Sequence, residues 1–303
     1  MEFSEEAAAT SSIANLSNDS ESVLPVLPLE IIHEILLILP VKALLKMRCV
    51  SKSWLSLISS PQFIKTHLKF STKKQDLRLL FSGSPENNSH RFYTCSLYAI
   101  MYQESLHQPI ELDLSCKDYH MVEGSCDGLL CLSVGREELY LWNPSIRKLK
   151  RLAWSGKNNL HYTTYGFGYN ESQDDYKVVK VDGSRRAYGF RGFEHVNNVS
   201  IYSLRTNSWK SILEKFPGVF FCRDPAKFVN GKLHWTKVVS VPYFATSEYA
   251  IRPIFISQND DILMQYSTQN ALKHSEIQIH DDSGVQFNLY IESLVSPNFV
   301  EEV

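Results

Sequence analysis

Long apolar runs are missing from this chain. Its most hydrophobic stretch, residues 27–68, is interrupted by His33, Glu34, Pro40 and Lys42, and it falls short of the ~18 uninterrupted apolar residues of a membrane span. The opening MEFSEEAAATSS carries neither a positive region nor an apolar one, so no signal peptide is expected. Charge of one sign is also missing: the formal net charge is −2, which leaves no basic field to hold nucleic acid. Cysteine is sparse. The six residues Cys49, Cys95, Cys116, Cys126, Cys131 and Cys222 show no CxxC, and no paired-histidine spacing accompanies them. Neither a disulfide framework nor a zinc site is therefore expected, although Cys116, His120, Cys126 and Cys131 lie near one another in sequence. Together these absences predict a soluble chain of the cytoplasm or nucleus, with reduced thiols, no membrane or nucleic-acid partner and no cofactor. The sequons at Asn15, Asn18, Asn87, Asn170 and Asn198 are then expected to stay unmodified.

Catalytic spacing is absent as well. There is no GxSxG, no HExxH and no cysteine–histidine pairing suggestive of a nucleophile. Gly166-Phe167-Gly168 lacks the third glycine and the following helix of a nucleotide loop, and reads as a strand where another backbone comes close. The pairs Asp174-Asp175, Asp260-Asp261 and Asp281-Asp282 sit at turns, where aspartate bonds its own backbone, rather than in a glycosidase arrangement. His234, beside Trp235, reads as a packed strand residue and not as a base. The expectation is a protein that is not an enzyme.

What the sequence does contain is two kinds of periodicity. Its 303 residues imply two domains. Residues 1–22, rich in Ser, Ala, Asn and Glu, read as a disordered acidic tail. Residues 23–70 form a helical module. From Leu29 to Leu39 the apolar residues Leu29, Ile31, Ile32, Ile35, Leu36, Ile38 and Leu39 cover about half the helical circumference, more than the ~100° stripe one core requires. Pro40 ends that helix. A second run from Val41 to Val50 groups Ala43, Leu44, Met47 and Val50; a third from Ser51 buries Trp54, Leu55, Leu57 and Ile58. Ser60-Pro61 then caps a short fourth helix through Phe63, Ile64 and Leu68. A module of roughly 40 residues cannot bury so much apolar surface in itself. Either the rest of the chain covers the surplus, or another protein does.

Residues 71–76 are charged and polar and read as a linker. From 77 to 303 the period changes to two, with short β-branched and aromatic runs between turn signals such as Asp127-Gly128, Asn143-Pro144, Asp182-Gly183 and Asn230-Gly231. The 12% aromatic share agrees with β structure. An internal repeat aligns 138–152, 198–212 and 276–290: Leu139, Val199 and Ile277 coincide, as do Leu149, Trp209 and Phe287. Each copy reads as a strand, a tight turn and a returning strand, the mark of stacked blades. Arg185, Arg186 and Arg191 fall in a basic, glycine-bearing segment that reads as a surface loop joining two repeats, a candidate for substrate recognition.

At residues 27–54 the motif Leu27-Pro28, Glu34-Ile35-Leu36, Leu39-Pro40-Val41-Lys42, Leu44, and Arg48-Cys49-Val50-Ser51-Lys52 followed by Trp54 resembles an F-box in its plant form. From about 90 to 299, Gly124–Cys131, Leu141–Lys148, Tyr165–Tyr169 with Asp174–Val179, Ile201–Leu204 through Trp209, Phe228–Trp235 and Tyr290–Pro297 resemble the F-box-associated domain of plant proteins, a kelch-like propeller without the kelch Gly-Gly pair. The fold class implied is α+β multidomain: a small N-terminal helical F-box, then an all-β, kelch-like propeller-type domain. In that family several further strands precede the segment Pro253–Ser257, whereas only Thr236–Arg252 stands there in this chain, which implies a domain shortened near 236–252 by a blade. The resemblance implies a substrate receptor of an SCF-type ubiquitin ligase, with the F-box docking on Skp1 (an ASK protein in plants), and through it on a cullin-RING ligase. The β domain would recruit an unknown protein substrate. By landmark, Leu27, Pro28, Ile31, Ile35, Leu36, Leu39, Pro40, Leu44, Val50 and Trp54 would carry Skp1 binding, with contact and core residues not separated. The alternatives are a non-degradative or decoy F-box protein with an impaired substrate domain, and a β-propeller enzyme.

Overall fold

The computed structural model describes residues 27–74, 77–83, 91–102, 108–114, 120–135, 138–153, 162–188, 192–212, 227–229, 232–234, 250–256, 262–267, 271–272 and 287–298. Four helices come first: α1 (Leu29–Leu37), α2 (Val41–Met47), α3 (Lys52–Ser59) and α4 (Pro61–Lys74). Their starts follow local chemistry. Pro28 and Pro40 sit at the caps of α1 and α2, where a missing N–H costs nothing. The Ser51 hydroxyl accepts the Trp54 N–H at 3.2 Å, and Ser60 accepts that of Phe63 at 3.2 Å. α4 is longer than its apolar pattern predicts. It continues through Ser71 to Lys74, so most of the expected linker 71–76 is helix, and residues 75–76 lie outside the described residues. The Thr72 hydroxyl donates back to the Leu68 carbonyl at 2.8 Å.

The strands follow in chain order: β1 (Leu77–Gly83), β2 (Arg91–Ser96), a short helix α5 (Leu97–Tyr102), β3 (Ile110–Leu112), β4 (His120–Cys126), β5 (Leu129–Val134), β6 (Glu138–Asn143) and β7 (Lys148–Arg151). Then come β8 (Tyr162–Asn170), β9 (Asp175–Tyr188), β10 (Gly192–Ser203), β11 (Ser208–Ile212), β12 (Lys227–Val229), β13 (Lys232–His234), β14 (Ala250–Ile256), β15 (Ile262–Ser267), β16 (Ala271–Leu272) and β17 (Phe287–Ile291). They form antiparallel sheets ordered β17-β1-β2-β3, β4-β5-β6-β7, β11-β10-β9-β8, β12-β13 and β14-β15-β16. Neighbouring sheets meet along their first strands: β14 beside β17, β17 beside β4, β4 beside β8, and β8 beside β12 and β13. This is the arrangement of propeller blades. The first blade takes its inner strand, β17, from the far end of the described chain, with Leu77 opposite Ile291 and Phe81 opposite Phe287.

The aligned repeat is two equivalent hairpins. Trp142 pairs with Leu149 and Tyr202 with Trp209, across turns whose Arg147 (φ 55°) and Asn207 (φ 51°) adopt the same left-handed conformation. Of the third copy, residues 276–286 lie outside the described residues, and Phe287 opens β17, which pairs with β1. The basic segment differs from the sequence expectation. Arg185 and Arg186 belong to β9 and stand opposite His195 and Glu194 of β10, so they extend one long hairpin within a single blade and do not form a loop between repeats. Strand alternation continues through these charged residues because both sides of the hairpin are long enough to pair. The expected turn at Asp182-Gly183 lies inside the same ladder, with Gly183 opposite Asn197.

Blade packing explains the buried residues. Leu129, Cys131, Leu141, Phe167, Val178 and Tyr202 fill the seam between the second and third blades. Leu80, Phe92, Leu130, Leu132, Trp142 and Tyr290 fill the seam between the first and second. At the former seam β4 and β8 approach so closely that a Cβ on Gly124 would lie 3.4 Å from that of Phe167. Charge is buried on the same side, around Cys131 and Tyr165. The Glu123 carboxylate accepts from Ser133, and its pKa is raised above the ordinary 4.5, first by desolvation and against the pull of that hydrogen bond. Lys180 and Asp182 form a buried ion pair at 2.9 Å, with the Thr163 hydroxyl donating to Asp182 at 2.7 Å.

The segment after β17 is fixed by a polar network. Asn143, wholly buried, donates through Nδ2 to the carbonyls of Ser293 (3.0 Å) and Val295 (2.8 Å), while its Oδ1 accepts from the Ser145 N–H at 2.9 Å. Ser293 donates to the Asp127 carbonyl at 2.6 Å. Asp127 and Gly128 (φ 53° and 81°) form the two-residue turn between β4 and β5. A Cβ at Gly128 would lie 2.3 Å from Ser293 Oγ, so this glycine serves both the turn and the segment laid across it.

Two outcomes follow from this packing. Asn143→Ala strips the donors from two buried carbonyls, and at about 1–3 kcal/mol for each unsatisfied group it lowers the denaturant midpoint clearly at unchanged slope; an unaltered midpoint would mean that the network contributes nothing. Glu123→Gln keeps an acceptor for Ser133 and removes the buried charge. Because the folded-state pKa lies above the unfolded one, the native carboxylate weakens the fold at neutral pH and stops doing so as pH falls toward 4.5. The variant therefore melts higher than wild type at pH 7–8, and the difference vanishes near pH 4.5 in thermal scans across pH.

Candidate docking surface

The helical module buries one apolar stripe and leaves another in water. Along α1, Ile32, Leu36 and Leu39 recur at helical spacing and pack with Leu37, Val41, Leu44, Ile58 and Phe63. One residue earlier in each turn, Ile31, Ile35 and Ile38 recur at the same spacing and are 42%, 44% and 56% exposed. Leu27 and Leu29 extend this outer stripe, and Val50 and Leu55 are exposed at the α2–α3 corner. An exposed apolar stripe of this kind marks an interaction surface.

The inner stripe has a partner within the chain. Leu294 and Ile146, both from the β domain, pack against the helical core, while Ile64 and Leu68 of α4 pack against the seam of the second and third blades. Lys65 donates to both Asp174 oxygens, at 2.7 and 2.8 Å, from the opposite side of the same junction, and the Tyr169 hydroxyl also donates to Asp174. Those bonds, that of Lys65 first, hold the Asp174 carboxyl below the usual carboxylate range. Asp175 accepts from the Ser203 hydroxyl (2.6 Å) and the Arg205 N–H (2.9 Å), so Asp174 serves the junction and Asp175 the turn that follows Ser203. Asp127, raised by burial, accepts from Tyr176 at 2.9 Å.

The ten residues expected to bind a partner thus divide into three groups. Leu27, Pro28, Ile31, Ile35, Pro40 and Val50 are exposed, Leu39 and Trp54 are half-buried, and Leu36 and Leu44 lie inside the module. Leu29, Ile38 and Leu55 join the exposed set. Leu55 is the one residue of the third helix expected inside that is instead outside, because Trp54, Leu57 and Ile58 already fill that side. The basic flank is distinctive too. Lys42, Lys46 and Lys52 are exposed, and Arg48 is half-buried, its Nε carrying no hydrogen bond and its pKa lowered by desolvation.

The strands alternate in direction, so the turn at Asp127-Gly128, the turn after Asn143, the Asp174 turn and the segment Ser293–Val295 all face the helical module. The β9–β10 ladder runs the other way, from Ser203 opposite Lys177 to Gly192 opposite Tyr188. The backbones of Arg185 and Arg186 therefore lie toward the end remote from the helices; their side chains, and Arg191 entirely, lie outside the described residues. Cys116 and Trp235 also lie outside them, as do the pairs Asp260-Asp261 and Asp281-Asp282 and all but the end of 236–252. Among the described residues, no three or more His, Cys, Asp or Glu side chains are placed to hold a metal, and no helix is long and apolar enough to cross a membrane.

A capped four-helix module seated on propeller-like blades defines an F-box joined to a β-propeller domain. Comparison with known families agrees: residues 24–66 match the F-box domain, and residues 87–252 match the F-box associated beta propeller domain. The chain belongs to this family of F-box proteins. It is 36% identical to the F-box/kelch-repeat protein At3g23880 of Arabidopsis thaliana, over 71% of this chain and 59% of that protein. It is 32% identical to the F-box protein CPR1 of the same plant, over 61% of this chain and 45% of that one. The chain spans about half the length of the curated relatives it matches.

The exposed and buried stripes predict opposite mutational behaviour. Ile31→Asp with Ile35→Asp leaves the thermal midpoint within about 1 °C, since surface changes of this kind cost under ~0.5 kcal/mol. Leu36→Ala, at a position 1% exposed, costs about 2–5 kcal/mol. Thermal and urea unfolding of the full chain distinguish them; similar losses in both would place the outer stripe in a core.

Proposed function

We propose that this protein is the substrate-receptor subunit of an SCF-type ubiquitin ligase, docking on Skp1 through its F-box and holding a protein substrate on its β domain. The observation that carries the reading is the outer apolar stripe of Ile31 and Ile35, continued by Ile38, which is exposed beside a core already closed by Leu294 and Ile146. A specific interface buries about 800 Å² per partner, a size that α1 and the α2–α3 corner together suit. The receptor performs no bond chemistry of its own. It raises the effective concentration of a substrate lysine beside a ubiquitin-charged enzyme, turning an encounter between molecules into one within a complex. The site residues are Leu27, Leu29, Ile31, Ile35, Ile38 and Val50, with Leu36 and Leu44 shaping the surface from below.

The family to which the chain belongs supports this reading, and so does the placement of the β9–β10 hairpin, whose far end lies away from the helices. The test is co-purification with Skp1. Wild type retains Skp1, and Ile31→Asp with Ile35→Asp loses it by about a hundredfold or more at unchanged stability, as expected when charge enters an apolar interface centre. Retention by the double variant would rule out this surface. Loss of wild-type binding would rule out the ligase assignment. Where Skp1 binds, a substrate half-life that is the same with and without the protein would identify a decoy in place of a receptor.

A further inference from the structure

Adjacent residues of the segment after β17 belong to different cores. Leu294, 2% exposed, packs with Leu36, Leu37, Val41, Leu44, Ile58 and Phe63 of the F-box. Val295, 8% exposed, packs with the blade residues of the second and third sheets. The Asn143 amide holds the carbonyls on either side of Leu294, and the Val295 N–H donates to Ser293 Oγ at 3.3 Å. The segment reaches this place because β17 pairs with β1 along five residues, from Leu77–Ile291 to Phe81–Phe287.

We propose that Leu294 is a positioning residue for the docking face: it seats among α1, α2, α3 and α4 and fixes the rotation of α1, so the pairing of β17 with the first blade helps hold the outer stripe in its docking orientation. The inner and outer stripes of α1 are one residue apart, about 100° around the helix. Whatever sets the inner stripe therefore sets the outer one. Among the described residues, Leu294 is one of seven buried ones that make this core, and the only one of them from outside the helices. A module of this size has little apolar surface to spare. The consequence is a folding condition on function. A receptor whose β domain is not assembled lacks a residue that orders its docking helices, and it docks more weakly.

This inference rests on the Skp1 reading for its meaning, but not for its first measurement. Hydrogen exchange of the full chain without Skp1 reports the order of α1 and α2 directly. Leu294→Ala is expected to speed exchange in residues 30–47 by about tenfold or more, and to weaken Skp1 affinity by the factor by which the ordered fraction of these helices falls, since affinity follows the fraction of competent conformer. Leu294→Met, which conserves volume, is expected to restore both. Val295→Ala is the control: it lowers the melting temperature of the β domain yet leaves exchange in α1 and α2, and Skp1 affinity, within about twofold of wild type. Should Leu294→Ala give no soluble protein, Leu294→Val carries the test with an effect of about threefold. Unchanged exchange in α1 and α2 on loss of Leu294 overturns the proposal, as do equal effects from the Leu294 and Val295 variants. If exchange responds as expected and wild type fails to bind Skp1, the positioning role stands and the ligase reading alone falls.

Discussion

One buried amide ties the two halves of this protein together. Asn143, at the end of a blade strand, donates to the backbone on both sides of Leu294, and that backbone can lie there because Gly128 beneath it has no side chain. From this contact the rest follows in order. Leu294 enters the F-box core, Val295 enters the blade core, and β17 is set against β1. The ion pair of Lys65 with Asp174 braces the opposite side of the junction, though in solvent such pairs stabilise little. Apolar contact and the buried amide hold the junction; surface charge only tunes it.

The same economy governs the docking helices. A four-helix unit this small has more apolar surface than it can hide, and the structure resolves the excess in two directions. The stripe of Ile32, Leu36 and Leu39 is closed by the chain itself, through Leu294 and Ile146. The stripe of Ile31, Ile35 and Ile38, one residue out of phase, remains in water. The intramolecular cover rigidifies the helices and the intermolecular one uses them. An F-box packed this way on Leu294 and Ile146 is braced against its propeller, as the proposed receptor role requires.

Much of this was legible in the sequence because it rests on local chemistry. Ser60 caps the fourth helix, Pro40 follows the end of the first, and Asp127-Gly128 makes its hairpin turn. The equivalence of the Trp142 and Tyr202 hairpins was legible too, since a large side chain must return across each turn. What escaped the sequence is non-local. Nothing in the period of α1 says which of two apolar stripes is inside; that is decided by Leu294, more than 250 residues away along the chain. The charged run at Arg185-Arg186 looks like a loop by composition, yet pairing with β10 draws it into a strand. α4 outlasts its apolar pattern, and the Thr72 hydroxyl bonds the Leu68 carbonyl in this extension, a contact that leaves no hydrophobic trace.

The central claim is that the F-box is finished on the inside by its own chain and on the outside by Skp1. Hydrogen exchange of the full-length protein with and without Skp1 tests it most directly. The account predicts new protection confined to residues 27–38 and 50–55, with the amides of α4 and of Ser293–Val295 already slow in the free protein. Protection appearing on the blades, or rapid exchange across α1, α4 and Ser293–Val295 until Skp1 is added, would contradict it.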